Sequence, residues 1–267
     1  MILEERLTKI ASVAIKSGNH APNDGANACV MELVSWVAGE PWSDAPECAC
    51  PVITAFMVSW NDSLPSDADR DRLLKPLIPF IVGTRSTPEI ERRRSLMAAD
   101  WLVRVHTPAW LRAAKLEDQA NLLEALPEIT DMAQCPSLMP ALEAVRKDAA
   151  AAWDAARDAA WAAARAAAWD AAMAAAWAAA RAAAWDAAMA AAMAAAWDAA
   201  RDAAWDAARD AARAAAMAAA WDAAMAAIKP TTELLQASAV ELVKRMCALE
   251  ASSSATSTTS PDEKAAQ

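Results

Sequence analysis

From Trp153 to Met225 every fourth residue is Trp, Arg or Met, and everything between them is Ala or Asp. The tetrad repeats nineteen times without one Gly or Pro. Ala is the strongest helix former, so this stretch is committed to helix. An α-helix turns about 100° per residue, and a period of four therefore advances the large side chains by about 40° per repeat. Nineteen repeats carry that column about twice around the axis. A straight rod built this way has no dry face, and a repeat longer than 3.6 residues favours right-handed winding.

Eight tryptophans lie in the tract: Trp153, Trp161, Trp169, Trp177, Trp185, Trp197, Trp205 and Trp221. At roughly 150–250 Å² each they carry well over ~1,000 Å² of largely apolar surface. At ~25 cal/mol per Å² that amounts to some tens of kcal/mol as an upper bound. The tract is therefore expected to wind on itself, break into packed helices or pair with other copies, burying most of these indoles against Ala methyls. Arg and Asp moderate the surface. Asp154/Arg157, Asp198/Arg201, Asp206/Arg209 and Asp210/Arg213 stand i,i+3 for surface ion pairs. Trp161–Arg165–Trp169 and Trp177–Arg181–Trp185 place a guanidinium one turn from an indole on either side.

The rest of the chain also punctuates as helix. Glu4–Ser17 is amphipathic and ends at Gly18, and Asn23-Asp24-Gly25 offers caps for a helix over Ala26–Ala38 closed by Gly39. Asp44-Ala45-Pro46 precedes a helix running towards Trp60, with Pro51 near its first turn. Ser66 or Asp67 starts another through Leu74, Thr87-Pro88 opens one to about His106, and Thr107-Pro108 opens a shorter one. Zero Tyr, two Phe and no alternating apolar runs leave little material for strands. The fold class expected is all-α: a helical domain over 1–147 without a sheet, the tetrad tract over 148–228, a C-terminal amphipathic helix over 229–250 and a disordered tail over 251–267. Pro230 is expected to end the tract. Beyond it Leu234, Leu235, Val240, Leu242, Val243 and Met246 make one apolar stripe.

Net charge is −10, spread as −6 over 1–152, −3 over 153–228 and −1 beyond. A nucleic-acid binder needs a concentrated basic face, and the densest basic run, Arg92-Arg93-Arg94, lies among Glu89, Glu91 and Asp100. No nucleic acid is expected as a partner. Despite 57% hydrophobic composition, no uncharged apolar window of about 18 residues occurs, so no membrane span is expected. Met1-Ile2-Leu3 runs straight into Glu4-Glu5-Arg6, which is no secretory signal, and a cytoplasmic location follows as the expectation.

Five cysteines in such a chain read as thiols or metal ligands. His20, Cys29, Cys48 and Cys50 compose a Cys3His set, a standard tetrahedral zinc shell. Zinc is the cofactor this set would take. The Cys-x-Cys spacing is tighter than the usual Cys-x2-Cys, and the same residues also read as buried thiols beside a surface His. Asp24, Glu32, Glu40 and Asp44 lie nearby and read as helix caps and solvated faces. A catalytic cysteine assisted by His20 or His106 is a further alternative. The zinc-deaminase pattern is missed at both His20-Ala21-Pro22 and Pro46-Glu47-Cys48-Ala49-Cys50. Four glycines supply neither a Walker loop nor a dinucleotide fingerprint.

The stretches Cys29-Val30-Met31-Glu32, Ala38-Gly39-Glu40-Pro41-Trp42-Ser43-Asp44, Cys48-Ala49-Cys50-Pro51 and Ser59-Trp60-Asn61-Asp62 belong together with Leu74-Lys75-Pro76, Val82-Gly83-Thr84-Arg85-Ser86 and Ala99-Asp100-Trp101-Leu102-Val103-Arg104. With the tract and Lys229-Pro230-Thr231 they resemble an uncharacterised family of tailed-bacteriophage and actinobacterial proteins that carries an Ala/Trp tetrad tract before a Lys-Pro-Thr helix. The tract is also similar to those of putative bacterial immunity proteins, through low complexity alone. Neither resemblance implies an activity. Three readings stay open: a non-enzymatic structural or interaction protein, phage-related, that self-associates or binds a protein partner through the coil; a small zinc-dependent or cysteine enzyme with its site in residues 20–50; and an inhibitor or immunity protein acting through its Trp-rich surface.

Overall fold

The computed structural model describes residues 2–22, 27–155, 157–158 and 194–254, with side chains in the last stretch described from 210 to 249. The chain is all-α. Helices α1 (Glu4–Lys9), α2 (Val30–Ala38), α3 (Pro51–Ser63), α4 (Asp67–Leu74), α5 (Ile78–Ile81), α6 (Pro88–Trp101), α7 (Thr107–Ala113) and α8 (Glu117–Glu124) are followed by α9 over 135–155 and by α10 (Ala194–Ser254). The expectation of no sheet is corrected by one minimal ladder. Ala14–Ile15 pairs in parallel with Asn27–Ala28. The α1 segment turns 3-10 over Ile10–Ser12 and becomes extended instead of reaching Ser17. Asp71 accepts the Ile15 amide at 2.9 Å, so this backbone is held by α4 and not by its own helix.

Side-chain caps open α2, α4 and α6. Thr87 accepts the Ile90 amide and Pro88 occupies the first turn of α6, while Ser66 accepts the Asp69 amide at the start of α4. Helix α3 begins at Pro51, which stands in its first turn as its sequence suggested. Helix α2 begins at Val30 with Cys29 as its cap, and the expected caps Asn23, Asp24 and Gly25 lie outside the described residues. Gly39 closes α2 at φ +81°, where a Cβ would meet Leu3 Cδ1 at 3.1 Å. Only glycine meets both demands cheaply.

Helix α2 is the centre of the core. Val30, Met31, Leu33, Val34 and Val37 are all buried, against Ile53 and Met57 of α3, Leu74 and Leu77, and Ile78 and Ile81 of α5. The same cluster takes in Leu242, Val243 and Met246. The C-terminal apolar stripe is thus part of the N-terminal domain's core. Two smaller clusters, Leu111/Ala120/Leu123/Val145 and Leu96/Ile129/Leu138, seat α7, α8 and α9.

The expectation that Pro230 ends the tract is overturned, because α10 runs through it. Pro230 is exposed, on the side of the helix about 180° from the docked residues. The carbonyl it leaves without an amide, that of Ala226, therefore faces water, which can satisfy it. Docking of the turns beyond Pro230 outweighs the propensity penalty.

The tract's burial expectation can be followed at two of its eight tryptophans. Trp153 is 71% and Trp221 68% exposed, so neither indole is packed on Ala methyls among the described residues, and cover from a neighbouring copy stays open. Trp161, Trp169, Trp177 and Trp185 lie outside the described residues, as do the side chains of Trp197 and Trp205 and the tail over 255–267. Residues 251–254, placed in the tail by sequence, extend α10. Among the described residues no helix is long and apolar enough to cross a membrane.

Candidate functional site

Of the four zinc candidates, His20 and Cys29 meet at Glu32, while Cys48 and Cys50 lie on the segment that leads into α3. His20 lies beside α2, where Glu32 gathers the entry loop: Oε1 accepts the His20 amide at 2.6 Å, and Oε2 accepts the Cys29 amide at 2.6 Å and stands 3.2 Å from His20 Nδ1. Cys29 Sγ in turn accepts the Glu32 amide at 3.4 Å. This is a capping box with Cys in the place usually taken by Ser or Thr. The signal was present in the sequence as Cys29-x-x-Glu32, hidden by the unusual cap residue. Burial, with the Glu32 carboxylate adding to it, pushes the Cys29 thiol up to about 12. A thiol that burial keeps protonated is a poor nucleophile.

Cys48 is half-buried near Glu40, and its thiol is raised, mainly by burial. Cys50 is fully buried as the residue before α3; its amide donates to Thr84 Oγ1 at 3.0 Å and its neighbours include Cys247 of α10. Cys29 is committed to capping α2, and the turn into Pro51 sends Cys50 into the core. Among the described residues no three His, Cys, Asp or Glu side chains are grouped as a metal shell requires.

A different surface was missed by sequence reasoning. Beside α10 runs a groove of about 390 Å³ whose walls include Phe56, Trp60, Trp101, His106 and Trp110, with Leu235 and Ala239 on the α10 side. Its rings meet edge-on or tilted: Phe56–Trp60 at 6.0 Å, Phe56–Trp101 at 5.8 Å, Trp101–His106 at 5.1 Å and His106–Trp110 at 6.4 Å. The Trp101 indole N–H donates to Ser238 Oγ at 2.7 Å, pinning α6 to α10. Between α6 and α7 the helix widens into a π turn over Leu102–His106. Pro108 has no N–H to continue the ladder, and Thr107 instead donates both its amide and its hydroxyl to the Leu102 carbonyl. That wider turn swings His106 into the aromatic row. It also leaves Leu102 51% exposed at the groove.

His106 Nε2 accepts the Trp110 indole N–H at 3.2 Å, so the neutral ring carries its proton on Nδ1. Burial lowers its pKa from the ordinary imidazole value. A depressed pKa means the unfolded chain takes up this proton first as pH falls below ~6.5, so His106 withdraws stability through that window and down through its folded pKa. The urea midpoint of wild type is expected to fall more between pH 7.5 and pH 5 than that of His106→Gln, which keeps an acceptor but not the titration. Parallel pH profiles for the two proteins would remove His106 from the account.

The last feature is the tract's own face. Placed at about 100° per residue, Ala214, Met217, Ala218, Trp221, Ala224, Met225 and Ile228 fall within about 60° of one line along α10. Leu235, Ala239, Leu242, Val243 and Met246, the docked residues, fall on the same line. The four-residue steps from Met217 to Met225 drift across this face, and the three-residue step to Ile228 brings the phase back. Steps of four and three alternate from there to Met246. One apolar face therefore leaves the domain edge and continues, with Met217 67%, Trp221 68% and Met225 45% exposed. In comparisons with known proteins, no family model matches the chain, and no curated protein or solved structure does.

Proposed function

We propose that this chain is a non-enzymatic structural or protein-interaction protein of the phage-related kind its sequence resembles, using the Ala/Trp coil for packing or assembly. The observation that carries the reading is the exposed Met217/Trp221/Met225 face, presented on a helix whose other end is built into the core. The largest contiguous apolar patch on a monomer is often the one that binds a partner. The burial of Cys29 and its commitment to the α2 cap give a cysteine nucleophile in residues 20–50 little support.

Light scattering, iodide quenching and metal analysis on the purified full chain test the reading. A particle heavier than the 28.2 kDa chain, or tryptophans shielded from iodide within a single chain, is the expected result. A monodisperse 28.2 kDa particle with every tryptophan water-like and freely quenched would overturn it, as would stoichiometric zinc whose removal abolishes a measurable hydrolytic activity.

A further inference from the structure

We infer that the partner of the exposed α10 face is the same face of a second copy, paired antiparallel about a two-fold axis at Trp221. This rests on the assembly reading above and names its occupant. A two-fold interface must be self-complementary, since each residue i that meets j is answered by j meeting i. The face meets that requirement. Read from either end its larger side chains run Met217, Trp221, Met225, with Ala218 and Ala224 symmetrically placed between them. Antiparallel pairing about Trp221 sets Met217 against Met225, Ala218 against Ala224 and Ala214 against Ile228. Alanines on both sides of each large residue let the two axes approach closely, and each Met thioether is flexible enough to pack along the central indoles.

Charge and continuity agree. From Ala211 to Ile228 the only charged residues are Arg213 and Asp222, which lie about 80–100° off the line. Asp210 is the first charge on it, so the uncharged stretch has a defined upstream end. Downstream the same face is already an apolar interface within the chain, at Leu235, Ala239, Leu242 and Met246. The pairing face is the outward continuation of that interface. The described residues leave Trp221 68% exposed, so this face is open to a partner.

The size of the face sets the strength. Three partly exposed large side chains offer on the order of 300–400 Å² per copy, below the ~800 Å² per partner of a standard-size stable complex. Dimerisation should therefore be reversible and concentration-dependent, in the micromolar range.

Sedimentation equilibrium of the full chain from low micromolar to several hundred micromolar is the test. Wild type is expected to move from one chain mass towards two. Trp221→Glu should raise the concentration needed at least tenfold, while Asp222→Lys, off the face, leaves it within about twofold. Both positions are exposed, and far-UV circular dichroism checks that each variant stays folded. Orientation is read from paired substitutions: Met217→Lys with Met225→Glu places opposite charges across the antiparallel interface and should associate at low salt, whereas Met217→Lys with Met225→Lys should not. A wild-type chain that remains one chain mass throughout overturns the inference; if its tryptophans are still shielded from iodide, the packing reading survives. Association that Trp221→Glu does not weaken also overturns the inference and leaves assembly to another part of the tract. Equal behaviour of the two paired variants overturns the antiparallel register.

Discussion

Replacing Arg94 by Ala is expected to destabilise the fold by about 3–5 kcal/mol, from two lost charge-assisted hydrogen bonds to carbonyls and the cavity left behind. Arg94 is fully buried in α6. Its Nε donates to the Met246 carbonyl at 2.9 Å and a terminal nitrogen donates to the Thr84 carbonyl. It therefore bridges the loop before α6 and the far end of α10, positions about 150 residues apart in sequence. Truncation leaves those carbonyls without their donor and opens a cavity the size of the guanidinium and its stem. Urea denaturation followed by far-UV circular dichroism gives the difference. A loss below about 1 kcal/mol would mean that the arginine is not the bridge these distances describe.

The second large effect is expected at Leu242, where Ala should cost about 2–5 kcal/mol through lost burial plus the cavity left behind. Leu242 is 2% exposed and shares a cluster with α2, α3 and α5. Because that cluster is one core, the loss should not stay local. Hydrogen exchange read by mass spectrometry should accelerate in Leu235–Met246 and also in α2 and α5. Acceleration confined to Leu235–Met246 would show that α10 is an accessory packed on a domain that is stable alone.

Much of the local structure was legible before the fold was known, and the reasons are specific. Thr87-Pro88 and Ser66 are cap residues whose side chains act within three residues, so their meaning does not depend on tertiary context. Shortage of Tyr, Phe and alternating runs excluded a substantial sheet for the same local reason. The failures are equally specific. Pro230 carries a propensity cost of about 3 kcal/mol, and the distant apolar partners of Leu242, Val243 and Met246 outweigh it. Cys29 looked like a metal ligand because Cys is rare as a cap, and only the position of Glu32 beneath the His20 and Cys29 amides assigns it that role. The aromatic groove joins Phe56, Trp101 and Leu235, whose separation along the chain gives no sequence pattern to detect.

The tract divides along the same line. Its composition determined helix, and the arithmetic of a four-residue period on a 3.6-residue helix determined that its large side chains drift around the axis. Those are properties of neighbouring residues. Which part of the drifting column is covered was decided by the core that α10 enters: docking of Leu235 to Met246 sets the rotation of the whole helix, and rigidity carries that rotation upstream to Trp221. A helix transmits its phase along its length, so one buried end fixes the direction in which the exposed end faces.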